Sequence, residues 1–97
     1  MIDIRDTGSS YELSVDGVLA GRCVYRDAGE RRVFLHTEVD AEYAGRGLAT
    51  QLVEYALDDC RSTGKRIVAR CPMVSAYLTK HHDFDDLVDT PPGVDQP

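Results

Sequence analysis

The chain is short of positive charge, long apolar runs and paired cysteines, and each shortage removes a class of function. Its 11 lysines and arginines stand against 17 aspartates and glutamates, for a formal net charge of -6. Nonspecific nucleic-acid binding needs a basic surface to neutralise phosphates, so no nucleic-acid partner is expected; one small anion at a local basic pocket stays compatible. No run approaches membrane-spanning length, and the N-terminus lacks the basic-then-apolar pattern of a secretory signal. Cys23, Cys60 and Cys71 are odd in number and widely spaced, with no C-x-x-C pair. They suggest neither a zinc site nor a disulfide framework, and free thiols fit a reducing compartment. No internal repeat or low-complexity segment is present. These absences leave a cytoplasmic protein without a membrane partner as the expectation.

What is there suits one globular domain. The 97 residues are 42% hydrophobic and carry a core of limited size. We expect a single domain over 1–90 and a frayed, Pro- and Gly-rich tail over 91–97. Ile2 to Arg5 is a weak edge-strand candidate. Tyr11, Leu13 and Val15 alternate with Glu12, Ser14 and Asp16, the period of a half-buried strand. Asp16-Gly17 marks a two-residue hairpin, and Val18 to Arg26 reads as the returning strand. After a turn at 27–30, Arg31 to Val39 predicts a further strand. Simple alternation puts Val33, Leu35, Thr37 and Val39 on one face and Phe34, His36 and Glu38 on the other. The period then lengthens. Leu48, Ala49, Leu52, Val53, Ala56, Leu57 and Cys60 form a helical stripe, with Asp58 and Asp59 on its exposed side and Gly64 at its stop. Ile67-Val68-Ala69 reads as a short buried strand, and Pro72 suits the first turn of a second helix. The acidic residues Asp83, Asp85, Asp86 and Asp89 read as a solvated face. The order predicts an α+β fold: a mostly antiparallel N-terminal sheet, then glycine turn, helix, strand and helix. The strands flanking the first helix are expected to be parallel neighbours.

The segment Glu42-Tyr43-Ala44-Gly45-Arg46-Gly47-Leu48-Ala49 carries the functional signal. Two glycines flanking one residue allow a tight turn and a close approach of backbone to ligand. At the start of a helix, such a turn aims unpaired N–H groups at one point, a site suited to phosphate. The same glycines equally describe a plain strand-to-helix connection. Other glycine-loop readings fit worse. No Gly-Lys-Ser/Thr exists for a P-loop, since Gly64-Lys65 precedes Arg66, and the antiparallel hairpins leave no room for a Rossmann sheet.

Four pieces in order resemble the GNAT superfamily, and within it the short one-domain N-acetyltransferase-like proteins. They are His36-Thr37-Glu38-Val39, the run Ala44-Gly45-Arg46-Gly47-Leu48-Ala49, Cys71-Pro72-x-Val74, and Tyr77-Leu78-x-Lys80-His81. The second corresponds to the acyl-CoA signature Q/R-x-x-G-x-G/A, with Ala44 where the family has Gln or Arg. The resemblance implies a minimal GNAT-like fold using acetyl-CoA as cosubstrate and no metal. The backbone N–H groups of Gly45, Arg46, Gly47, Leu48, Ala49 and Thr50 would bind the pyrophosphate of coenzyme A. The main chain at Glu38 and Val39 would pair with the pantetheine arm, and Arg46 would supply charge that Ala44 does not.

Acetyl transfer to an amine needs a base, oxyanion donors and support for a leaving thiolate. Amides near Val39 are candidate donors. Glu38, at a strand end, is a candidate base, against a reading as a solvated carboxylate. Cys71 precedes Pro72 at a helix start, where a thiolate is favoured, and is a candidate for an acyl-cysteine intermediate; the alternative is a small buried hydrophobe. The two residues are expected to face each other across the ligand cleft. Cys23 and Cys60 read as packing residues, and Tyr77 as a core residue with a satisfied hydroxyl. Lys80 and Arg70 are candidates to balance phosphate charge, with plain surface charges the default reading. The expected function is an acetyl-CoA-dependent N-acetyltransferase acting on an unidentified amine, of a small molecule or a protein. The alternatives are a non-catalytic acyl-CoA-binding module and a partner-binding domain without coenzyme.

Overall fold

The structure, a computed structural model, describes residues 1–89; the expected tail over 91–97 lies outside the described residues. Its elements are β1 (Ile2–Asp6), β2 (Ser10–Val15), β3 (Val18–Ala28), β4 (Arg31–Val39), α1 (Leu48–Thr63), β5 (Arg66–Ala69), α2 (Pro72–Lys80) and β6 (Val88–Asp89). All six strands form one sheet in sequence order. β1 to β4 pair antiparallel, as short connections dictate. β5 and β6 then add parallel, each across a helix. The fold is therefore α+β with the expected glycine turn, helix, strand and helix in its second half. Among the described residues, no helix is long and apolar enough to cross a membrane.

Local chemistry explains the joints. Asp16 and Gly17 both take positive φ, 50° and 84°, the conformation that a two-residue hairpin needs to match strand twist. The next turn is tighter than expected, because Ala28 already pairs with Arg31. α1 stops at Gly64, whose left-handed φ of 73° returns its amide to the Cys60 carbonyl. Pro72 opens α2 where its missing N–H costs nothing.

The alternation expected along β4 fails in its middle. Tyr25 pairs with Phe34 but Val24 pairs with His36, so Leu35 is an extra residue in the ladder. Such a bulge slips the side-chain phase by one. Before it, Arg32 and Phe34 face the helices and Val33 and Leu35 do not. After it, Thr37 and Val39 take the helix-facing side, and His36 and Glu38 turn outward. Periodicity alone carries no mark of an inserted residue.

One apolar cluster joins Tyr11, Leu13, Cys23, Tyr25, Phe34 and Ile67 of the sheet to Leu52, Val53, Ala56 and Leu57 of α1 and Val74 of α2. Both helices thus pack on the same face. Each large aliphatic side chain buried there contributes roughly 2 kcal/mol. Cys23 and Cys60 lie inside this cluster, and burial pushes their thiols up to about 11 and about 12.

At the far edge of the core from the glycine turn sits a polar assembly that sequence patterning did not announce. Arg32 grips Asp27 with both arms of its guanidinium, Nε to Oδ1 at 2.8 Å and Nη2 to Oδ2 at 2.9 Å. Its Nη1 donates to the Tyr11 hydroxyl at 2.6 Å and reaches Asp59 at 3.3 Å, and its plane lies 4.1 Å from the centre of the Tyr25 ring. Tyr11 in turn donates to Asp59 at 2.7 Å. Asp59 is therefore not on the solvated side of α1, as its place in the helical pattern suggests, but half-buried against this cation.

β6 was not foreseen either. Asp89 accepts from Arg31 at 2.9 Å and from Arg66 at 2.8 Å, which ties it into a sixth strand, whereas Asp83, Asp85 and Asp86 are exposed as expected. Hydrogen bonds from Arg32 hold the Asp27 carboxyl below its usual range against burial, and those from Arg31 and Arg66 do the same for Asp89. Folded-state values below the unfolded one mean stabilisation present above about pH 4 and lost as pH falls further. Thermal midpoints are expected to be level from about pH 7 to 5 and to drop below about pH 4. Asp27→Asn should shrink that drop; an equal drop in the variant would show that Asp27 does not carry it.

Candidate active site

The end of β4 outruns its parallel neighbour. Pairing with β5 stops at Phe34, apart from the Arg70 amide donating to the Phe34 carbonyl at 3.0 Å. Beyond the bulge, Asp40 donates to Ala20 of β3 at 2.8 Å. Strand alternation therefore turns the main chain of Glu38 toward β3 and that of Thr37 and Val39 toward the edge β5 has left. Of the two residues expected to pair with a pantetheine arm, Val39 offers its backbone there and Glu38 does not.

Chain geometry then prepares a bare helix start. A 3-10 turn over Ala41–Tyr43 leads into Gly45 at φ 80° and Gly47 at φ 72°. Gly47 is the N-cap of α1, and the first intrahelical bond runs from Gln51 N to Gly47 O at 3.1 Å. The amides of Leu48, Ala49 and Thr50 precede it. No side chain caps them, and no acidic residue occupies the first turn. A cleft of about 210 Å3 opens here, lined by Val39, Tyr43, Gly45, Gly47, Leu48 and Thr50. Arg46 holds its guanidinium 5.3 Å from the centre of the Tyr43 ring, exposed beside the turn. The arrangement presents amide donors with a favourable helix dipole and nothing of its own to satisfy them.

Cys71 and Glu38 do not face each other. Thr37 points to the helix side and brings its Oγ1 to 3.3 Å from Cys71 Sγ. Glu38, the next residue, points the other way, where it pairs with Arg22 at 3.1 Å and meets His36 at 3.4 Å. Its side chain is 52% exposed, whereas Cys71 is 1% exposed. Cys71 is the N-cap of α2, but its sulfur makes no cap hydrogen bond. Val39, at the cleft, and Thr37, beside this sulfur, lie on one face of β4 one strand repeat apart, roughly 6.6 Å. Tyr77 packs against the core, stacks on His81, and donates its hydroxyl to Glu54 at 3.0 Å. Burial, and then that bond, push its pKa up to about 12. Among the described residues, no group of three or more His, Cys, Asp or Glu is arranged to hold a metal ion.

Sequence reasoning missed Gly21. A Cβ there would stand 2.8 Å from the Glu38 carbonyl oxygen and 3.1 Å from Val39 Cγ2. Gly21→Ala is therefore expected to push the end of β4 outward, lowering stability by about 1 kcal/mol by overpacking and weakening acetyl-CoA binding. Urea unfolding and calorimetric titration check the pair; unchanged affinity would separate Gly21 from the site.

Comparisons with known proteins agree with this geometry. The chain superposes on a GCN5-like putative N-acetyltransferase from Staphylococcus aureus with a TM-score of 0.71 at 18% identity, covering 94% of this chain and 91% of that one. It also matches a ribosomal-protein-alanine N-acetyltransferase from Brucella melitensis biovar Abortus 2308 with a TM-score of 0.60 at 20% identity, covering 96% and 72%. At such identities the likeness is one of fold. No curated protein matches significantly in sequence. A family model described as GCN5-related N-acetyl-transferase matches residues 10–87, from β2 through the glycine turn to α2. By that match the chain belongs to the GCN5-related N-acetyl-transferase family.

Proposed function

We propose that residues 1–90 act as one cytoplasmic, acetyl-CoA-dependent N-acetyltransferase domain that moves an acetyl group to an amine. The observation that carries this reading is the uncapped start of α1, where Gly45 and Gly47 hold left-handed turns and no acid fills the first turn. In the reaction, the amides of Gly45 to Thr50 bind the coenzyme A pyrophosphate. The free-edge amides of Thr37 and Val39 receive the thioester arm and its oxyanion. Cys71 Sγ forms a bond to the acetyl carbon. The coenzyme A sulfur leaves with the thiol proton, and the acceptor amine then takes the acetyl group from Cys71. Glu38, exposed on the outer face at the strand end, takes a proton from the acceptor ammonium through water before the neutral amine enters the cleft.

Two alanine variants test the roles. Cys71→Ala should abolish transfer and Glu38→Ala should slow it, each with acetyl-CoA affinity unchanged. Incubation with acetyl-CoA followed by intact mass and peptide mapping should place the acetyl group on Cys71. A second reading, a non-catalytic acyl-CoA-binding module, draws on the burial of Cys71 and the engagement of Glu38 by Arg22. Tight binding with no transfer to any amine would favour it, and no rise of the thermal midpoint with acetyl-CoA would remove both.

A further inference from the structure

Thr37 sits between two thiols. Its Oγ1 lies 3.3 Å from Cys71 Sγ and 3.4 Å from Cys23 Sγ. All three residues are buried, and Cys23 faces Thr37 directly across the β3–β4 ladder. A hydroxyl has one hydrogen to give and lone pairs to receive. With that hydrogen on Cys23, the Cys71 thiol is the donor to Thr37. The contact exists only because the bulge at Leu35 turns Thr37 inward; without it, Glu38 would occupy this side.

We propose that Thr37 is a positioning residue for Cys71, and that Cys23, Thr37 and Cys71 form a reversible hydrogen-bond relay that supports the attacking sulfur. The inference rests on the assignment of Cys71 as the acetyl acceptor. At rest, Cys71 S–H donates to Thr37, and Thr37 O–H donates to Cys23. As the Cys71 proton passes to the departing coenzyme A sulfur during the attack, the Thr37 hydrogen swings to the Cys71 sulfur, on which negative charge transiently develops. Cys23 S–H then donates to Thr37 Oγ1, so each polar atom keeps a partner throughout. Burial keeps Cys23 protonated and able to fill that role, its pKa pushed up to about 11. Because all three residues are buried, a hydrogen bond to the developing sulfur charge does what solvent does at an exposed thiolate.

Thr37→Val keeps the shape and removes the hydroxyl, whereas Thr37→Ser keeps the hydroxyl. In the full chain, single-turnover acetylation of Cys71 should slow about tenfold or more in Thr37→Val, the scale of one hydrogen bond to a charged group. Thr37→Ser should restore the rate, and acetyl-CoA affinity should be unchanged in both. Alkylation of Cys71 by iodoacetamide, resolved by peptide mapping, should follow the same order and does not depend on acetyl uptake. Should the unmodified chain bind acetyl-CoA yet acquire no acetyl group, the nucleophile assignment falls and the alkylation series decides the relay alone. If Thr37→Val does not fold, Cys23→Ala replaces it, with slower alkylation of Cys71 expected. Wild-type alkylation rates in Thr37→Val or Cys23→Ala, or equal slowing in Thr37→Ser and Thr37→Val, overturn the proposal.

Discussion

Replacing Arg32 with methionine is expected to remove about 3 kcal/mol of stability, read as a lowered urea midpoint with an unchanged slope. The methionine keeps much of the apolar stem but none of the five donors. Asp27 then loses both arms of its clamp, and Asp59 keeps the Tyr11 hydroxyl but loses its cation. The Tyr25 ring loses the guanidinium stacked on it. Water recovers part of the loss, because the Asp27 and Asp59 side chains remain 36% and 28% exposed, so the lower end of the range for a broken buried pair applies. In a domain of this size the change corresponds to a fall of roughly 12 °C or more in thermal midpoint. Arg32→Lys should recover only a fraction, since an ammonium cannot match the bidentate geometry. A midpoint within about 1 °C of the parent would mean that the network is an ornament of the surface.

Gly47→Val is expected to weaken acetyl-CoA binding at least tenfold, the equivalent of about 1.4 kcal/mol. Gly47 stands at φ 72°, where a β-branched residue is strained by roughly 1–2 kcal/mol. Its Cβ would meet no protein atom within 4 Å, because the direction it takes is open space. The loss therefore comes from two sources: the turn relaxes away from the left-handed region, and side-chain bulk enters the space before the amides. Gly29→Val provides the control. It places the same strain, at φ 63°, in a turn far from the cleft, so stability should fall while affinity holds. Equal affinities in all three proteins would remove the glycine turn from coenzyme recognition.

The parts of this fold governed by local rules were legible in the residues. Asp16-Gly17 announced its hairpin, Gly64 its helix stop and Pro72 its helix start, because backbone conformation at those positions is limited by the residue itself. The glycine turn was legible for the same reason. What escaped depends on contacts distant in sequence. Asp59 has the spacing of an exposed helical residue, and Arg32 and Tyr11, 27 and 48 positions away, draw it inward. Asp89 reads as one carboxylate among several until Arg31 and Arg66 are brought beside it. The relation of Cys71 to Glu38 was drawn as opposition across a cleft because both residues stand at or just past the ends of strands expected to lie parallel. The inserted Leu35 reversed it, and with that reversal Thr37, unremarked as a chemical group, became the neighbour of the sulfur.

That extra residue also restricts how the chain can vary in length. Lengthening at Gly29 alters an exposed bend and its contacts with Lys65 and Arg66 but reverses no strand face. Between Phe34 and Thr37, gaining or losing a single position would exchange the two sides of the strand's last third. A carboxylate would be thrust among thiols, and a threonine left in water. Descendants of this sequence are thus free to drift at their loops yet are held to a fixed count here, without any particular side chain at Leu35 being demanded.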